Sequence, residues 1–296
     1  MNEAMPAASS TMPSAPGCPR RVPGFSFLDR SMHALRRSSP ALQDIVQSLA
    51  YTRAILYMAM SDLRARYKRS VLGPLWMTLG TAIGAVGLSF LWAELMHKDV
   101  HEFMPALTAG LILWQFISGV VGDASAMFSR QGALIRNINL PLAIYPAQLL
   151  LRHMINLLHS LPVFLVVAWA VGLRPTVNLL FVFPGVVLVT LNLLWLSLLV
   201  GMLGARFRDL EYLIASALPL LMLLSPVFYR PEFLPFSEVY LWANPISHFI
   251  EVIRYPLMGS APPGFVIWTN LGLLLVGGGL SLWVFNRKHH RIAFWV

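Results

Sequence analysis

Long uncharged stretches alternate with short charged clusters along the chain. Residues 71–93 run 23 without a charge, 103–122 run 20, 153–173 run 21, 175–205 run 31, 212–229 run 18 and 255–286 run 32. A helix rises about 1.5 Å per residue and a bilayer's hydrocarbon core is about 30 Å thick, so roughly 20 apolar residues cross it. The pattern predicts an all-α protein with six spans, at about 72–94, 103–122, 144–170, 179–203, 212–229 and 264–286. The fifth is the weakest, because Pro219 and the Ser225-Pro226 pair interrupt it.

A different pattern precedes the first span. Leu42, Ile45, Val46, Leu49, Leu56, Met60 and Leu63 recur at three- and four-residue spacing, which predicts one amphipathic helix over 41–70. It closes on Arg64, Arg66, Lys68 and Arg69, as expected of a helix lying on an anionic inner leaflet. A soluble helix packing on a partner is the other reading. Pro74 suits the first turn of the following span, where a missing N–H costs nothing. Residues 1–40 are rich in Pro, Ser, Ala and Gly without an apolar run, and are expected to be a disordered tail. Between 230 and 254, prolines punctuate apolar pieces too short to cross. These predict re-entrant gate helices over about 230–258, with an external hairpin as the alternative; Ser225, Pro226, Asn244, Pro245, Glu251 and Arg254 are the candidate gate residues.

Composition agrees with a membrane protein. Hydrophobic residues make up 57% and charged residues 12%, against roughly 25% charged in soluble chains, and the mean hydropathy is +0.65. The net charge of +9 raises a nucleic-acid reading. That reading fails because the basic residues sit in short runs beside the spans. With an inside N-terminus, twelve Lys and Arg flank the spans inside and four outside, so six spans with both ends in the cytoplasm fit best. The single cysteine, Cys18, excludes a disulfide framework and any multi-cysteine metal site.

The chain lacks GxxxxGK[ST], HExxH and GxSxG, so it carries no recognisable nucleotide, zinc or hydrolase site. No acidic residue falls in the middle of a span, which leaves little for ion coupling. Transport by this chain would be driven by another. In the third span Gln148, Arg152, Asn156, His159 and Ser160 form a polar stripe, which must face other helices or a wet cavity. It is read either as a path for a polar, hydroxyl-rich or anionic substrate or as interhelical glue. Trp76, Trp114, Phe116 and Trp195 could offer faces to sugar rings or fill the core. Gly80, Gly84 and Gly87 leave one side of the first span small, permitting close helix approach.

Ordered motifs then add a resemblance. SDLRARYKRSVLGPLW (61–76), GLILWQF (110–116), GALIRNINLP (132–141), ARFRDL (205–210), SPVFY (225–229) and NPISHFIEVIR (244–254) together resemble type-2 ATP-binding-cassette permeases that export polysaccharides, including O-antigen, teichoic acid and capsule exporters. The resemblance runs from about 41 to 290. It implies a permease domain over 71–290 that pairs as a homodimer, with two copies of a separate ATPase subunit beneath it and a cytoplasmic tail over 287–296. ATP with magnesium would sit on that ATPase and no cofactor on this chain. The setting implied is a bacterial inner membrane. The stretch 124–136 would match the coupling helix, with Met127, Phe128, Arg130, Leu134 and Arg136 as its candidates. The cargo implied is a lipid-linked O-antigen-like glycan. Export of a lipid or drug, and a multi-span glycosyl or acyl transferase, are the alternatives.

Overall fold

A computed structural model describes residues 40–296 apart from 69, 71, 72, 74, 98, 139 and 232–237. The tail expected over 1–40, Cys18 and the placement of Pro74 therefore lie outside the described residues, Pro40 excepted. The described elements are helices throughout: α1 Pro40–Ala50, α2 Thr52–Tyr67, α3 Leu75–Met96, α4 Val100–Ala124, α5 Met127–Arg130, α6 Gly132–Asn137, α7 Ile144–Ala170, α8 Val182–Arg206, α9 Leu210–Leu224, α10 Glu238–Ala243, α11 Pro245–Leu257 and α12 Gly264–Trp295. A 3-10 turn, Val177–Phe181, leads into α8. The fold is that of an all-α polytopic membrane protein.

Five helices are long and apolar enough to cross a bilayer: α3, α4, α7, α8 with its 3-10 lead-in, and α12. The expected fifth span is α9, whose 15 residues reach only about 22 Å. It ends where the sequence says it must. Ser225 precedes Pro226 and takes extended angles, because the proline ring disfavours the helical region for its predecessor. Asn244 then caps α11, its side chain accepting from Ile246 N–H at 3.0 Å, with Pro245 at the first helical position. Asp99 caps α4 in the same way, at 2.9 Å from His101 N–H.

The amphipathic segment is two helices rather than one, broken at Tyr51. Asp44 of α1 reaches another element. Its carboxylate accepts from the N–H groups of Leu142 and Ala143 at 3.0 and 2.7 Å, capping the start of α7 from another element. Burial pushes that carboxyl above its ordinary range, and the two backbone bonds oppose the shift. The helix after the break, α2, lies along α7 instead.

At the centre stands α4, packed against α3, α7, α8 and α11; α12 lies along α8. Glycines set the closest approaches. A Cβ on Gly204 of α8 would collide with the Ser125 carbonyl just after α4, and one on Gly277 of α12 with the Trp195 ring. The small side chain of α3 behaves differently: around Gly80, Gly84 and Gly87 nothing lies within 4 Å.

Candidate functional site

Polar residues gather where α4 ends and α7 begins. Gly119, one turn before Asp123, has no Cβ; one placed there would lie 2.7 Å from the His153 ring. The Nδ1–Cε1 edge of the ring therefore approaches α4 closely, and its Nε2 stands 3.0 Å from Asp123 Oδ2. Arg152 donates from Nη2 to the same oxygen at 2.6 Å and from Nη1 to Asp62 at 3.4 Å. Gln148 donates to Asp62 at 2.8 Å. On the other side Arg130 donates to Asp123 Oδ1 at 3.0 Å and to Glu211 at 3.2 Å. One carboxylate thus ties α4 to α5 and α7, and its partners extend the network to α2 and α9.

The members differ in weight. The Arg152 and Asp123 side chains are 14% and 22% exposed, so their pair is shielded and charge-assisted. Arg130 is 53% exposed, and its bridges contribute about 0–1 kcal/mol each. The sequence reading named Arg130 and Arg152 but missed Asp62, Asp123 and Glu211. A signal existed for two of them: a cation inside an otherwise uncharged span requires an anion nearby, and Asp123 and Glu211 directly adjoin uncharged windows.

Above this network a groove of about 310 Å³ runs between α4 and α7, lined in part by Arg66, Gln115, Phe116, Asp123, His153, Asn156 and Ser160. Of the predicted stripe, Asn156 and Ser160 therefore share one groove with Phe116, while Gln148 and Arg152 belong to the ion network. His159 is exposed beside α3, its backbone carbonyl accepting from Thr78 at 3.1 Å. Trp114 is buried in the core, and Trp76 is 58% exposed on α3. Trp195 packs into the space left by Gly277 and donates to Asn192 at 3.1 Å. The ring is half-buried there.

The short helices α5 and α6 occupy the expected coupling stretch. Met127 and Phe128 are buried, seated against Gly201 of α8. Leu134 is half-buried, and Arg136, exposed, donates to the Val296 carbonyl at 3.2 Å. The apolar half of the segment thus faces its own protein, and Arg130 and Arg136 face outward.

Near the middle of α4, beside Gly110 and about 20 Å from Asp123 by helical rise, α11 is wedged among α4, α8 and α12. Arg254 pairs with Glu251 through two hydrogen bonds and donates to the Pro226 carbonyl. Both side chains are at most 3% exposed. Gly110 of α4 lets the Val227 carbonyl approach beside them. Asn244 donates to Ser225 at 2.8 Å, so both ends of the break after α9 are held. Pro245 itself is exposed. The part of the expected gate at 232–237 lies outside the described residues.

Among the described residues no His, Cys, Asp and Glu cluster could hold a metal ion. The long apolar helices point to a multi-pass membrane protein. Residues 53–258 match the ABC-2 type transporter family, and the chain belongs to it. It is 28% identical over 180 residues to the O-antigen export system permease protein RfbA of Myxococcus xanthus, covering 60% of this chain and 69% of that one. It is 24% identical over 250 residues, and 25% over 248, to two proteins of that name from Klebsiella pneumoniae, each alignment covering 81% of this chain and 93% of theirs. Membership implies a partner ATPase and a membrane setting. It makes the chain a transport subunit and sets the transferase reading aside.

Proposed function

We propose that this chain is the permease subunit of an ATP-driven exporter that moves a lipid-linked, O-antigen-like polysaccharide across a bacterial inner membrane. The observation that carries the reading is the likeness to O-antigen export permeases over 81% of the chain. Two copies pair, and two copies of a separate ATPase bind ATP with magnesium beneath them. Both termini are cytoplasmic, and α9 with the turn after it serves as the fifth of six spans. Support for pairing comes from α3 and α9, whose Leu79, Ile83, Phe90, Leu213, Leu220 and Leu223 are more than 40% exposed within one protomer.

Coupling follows from the Asp123 network. The ATPase pushes on the outward face of α5 and α6, where Arg130 and Arg136 stand. Because Arg130 grips both Asp123 and Glu211, a displacement of α5 reaches α4 and α9 together. The route for glycan lies alongside α4 and α7, and α11 with the Ser225-Pro226 break forms the outer gate.

Deletion in the source cell tests the assignment. Loss of the chain should leave polysaccharide synthesis running while surface glycan disappears and internal glycan accumulates, with rescue by the intact chain. Unchanged surface glycan would refute it. A cytoplasmic C-terminus predicts that Lys288 resists impermeant amine reagents in whole cells, and modification from outside would break the span assignment.

A further inference from the structure

We infer that the groove between α4 and α7 is a saccharide subsite, holding a short neutral segment of the exported glycan as it enters. The inference rests on the polysaccharide reading above and assigns it a place. On α4 the lining recurs at Ile112, Gln115, Ser118 and Gly122, which is one helical face. From Ile112 to Asp123 the groove extends about 16 Å along the helix. Its volume of about 310 Å³ is that of a small ligand pocket.

The chemistry selects the ligand. Asn156 is 8% exposed and lines the groove, and its buried Nδ2 has no partner among the described residues. A buried amide donor left unpaired is costly, and a turn of the Asn156 amide toward the groove would give it an acceptor on a bound ligand. Ser118 and Ser160 donate to the carbonyls of Trp114 and Asn156 at 2.7 and 3.2 Å, so their oxygens are turned toward accepting. Gln115 is tied to Thr81 at 2.9 Å yet remains exposed midway along a spanning helix. That position is unfavourable against lipid and suits a wet or ligand-filled space. Mixed donors and acceptors match hydroxyl groups. At one end the Asp123 carboxylate is already engaged by Arg130 and Arg152, and the rest of the lining, Arg66 and His153 apart, is uncharged.

The test uses the full-length permease with its ATPase in cells, in a C18S background, carrying Gln115→Cys or Ser118→Cys. N-ethylmaleimide labelling is compared with polysaccharide synthesis running and blocked, and Leu165→Cys, exposed on the outer side of α7, serves as reference. Protection of positions 115 and 118 only while glycan is made is the expected result, with labelling slowed about tenfold, as occupancy by a bound ligand implies. Equal labelling in both states, with export continuing, overturns the subsite while leaving the polysaccharide reading intact. Loss of the reading itself shows separately, as export that survives deletion of the chain. If the cysteine variants fail to accumulate, Asn156→Leu decides. It should raise the melting temperature by removing an unpaired amide and cut export severalfold at unchanged ATPase co-purification. A higher melting temperature with normal export would make Asn156 mere packing and overturn the inference.

Discussion

Two charge systems sit about 20 Å apart along α4, one at its C-terminal end and one near its middle, and they are built differently. The Asp123 network draws partners from five helices, is partly open to solvent, and shares one carboxylate among three cations or potential cations. The Glu251–Arg254 pair belongs to a single helix and is sealed, with the Pro226 carbonyl also accepting from Arg254. A branched, half-solvated network can exchange partners at small expense, because water and neighbouring charges compensate each broken bond. A sealed pair cannot, because each charge is stranded without the other. The first is suited to passing on a displacement and the second to fixing a position. This contrast supports placing coupling at the Asp123 network and a latch at the Arg254 pair.

Breaking the sealed pair should have the largest effect. Glu251→Ala leaves the Arg254 guanidinium buried and uncompensated, which destabilises by about 3–5 kcal/mol. Detergent-solubilised protein should melt far lower or fail to accumulate, and Glu251→Leu with Arg254→Met should recover much of the loss. Equal damage from the single and double variants would show that the pair is not acting as a unit.

Asp123→Asn comes next, since it weakens charge-assisted bonds worth about 1.5–3 kcal/mol. The variant should still fold and bind its ATPase, yet hydrolyse ATP with little glycan export. Retained export per ATP would dissolve the distinction between the two systems.

The smallest effect on stability belongs to Arg130→Glu with Arg136→Glu. Exposed bridges contribute about 0–1 kcal/mol, so membrane insertion and melting should barely change. Co-purification of the ATPase should fall, because the outward face of α5 and α6 has reversed its charge. Undiminished co-purification would move the docking surface elsewhere.

Much of the helix layout was legible, because uncharged windows bounded by Arg, Lys, Asp and Glu state where lipid begins and ends. The break at Ser225-Pro226 and the cap at Asn244-Pro245 were legible too, since proline limits its neighbours through local sterics. Periodicity could not see the break at Tyr51. Apolar spacing continues across it, and the bonds that Asp44 makes with the start of α7 span nearly a hundred residues of sequence. The same limit hid the partner of His153, which stands on α4 rather than on its own helix. Spacing also marks Met127 and Phe128 as apolar without telling what covers them. Only the empty flank of Gly201 reveals that α8 does. Nor does spacing show that Gly277 makes room for the Trp195 ring.

The central claim is that this chain is a conduit driven by a second polypeptide. The most direct measurement is polysaccharide flux into proteoliposomes containing the permease with and without its ATPase, at saturating ATP and magnesium. The account predicts flux only when both proteins and ATP are present, and none from the permease alone. Equal flux without the ATPase would contradict it.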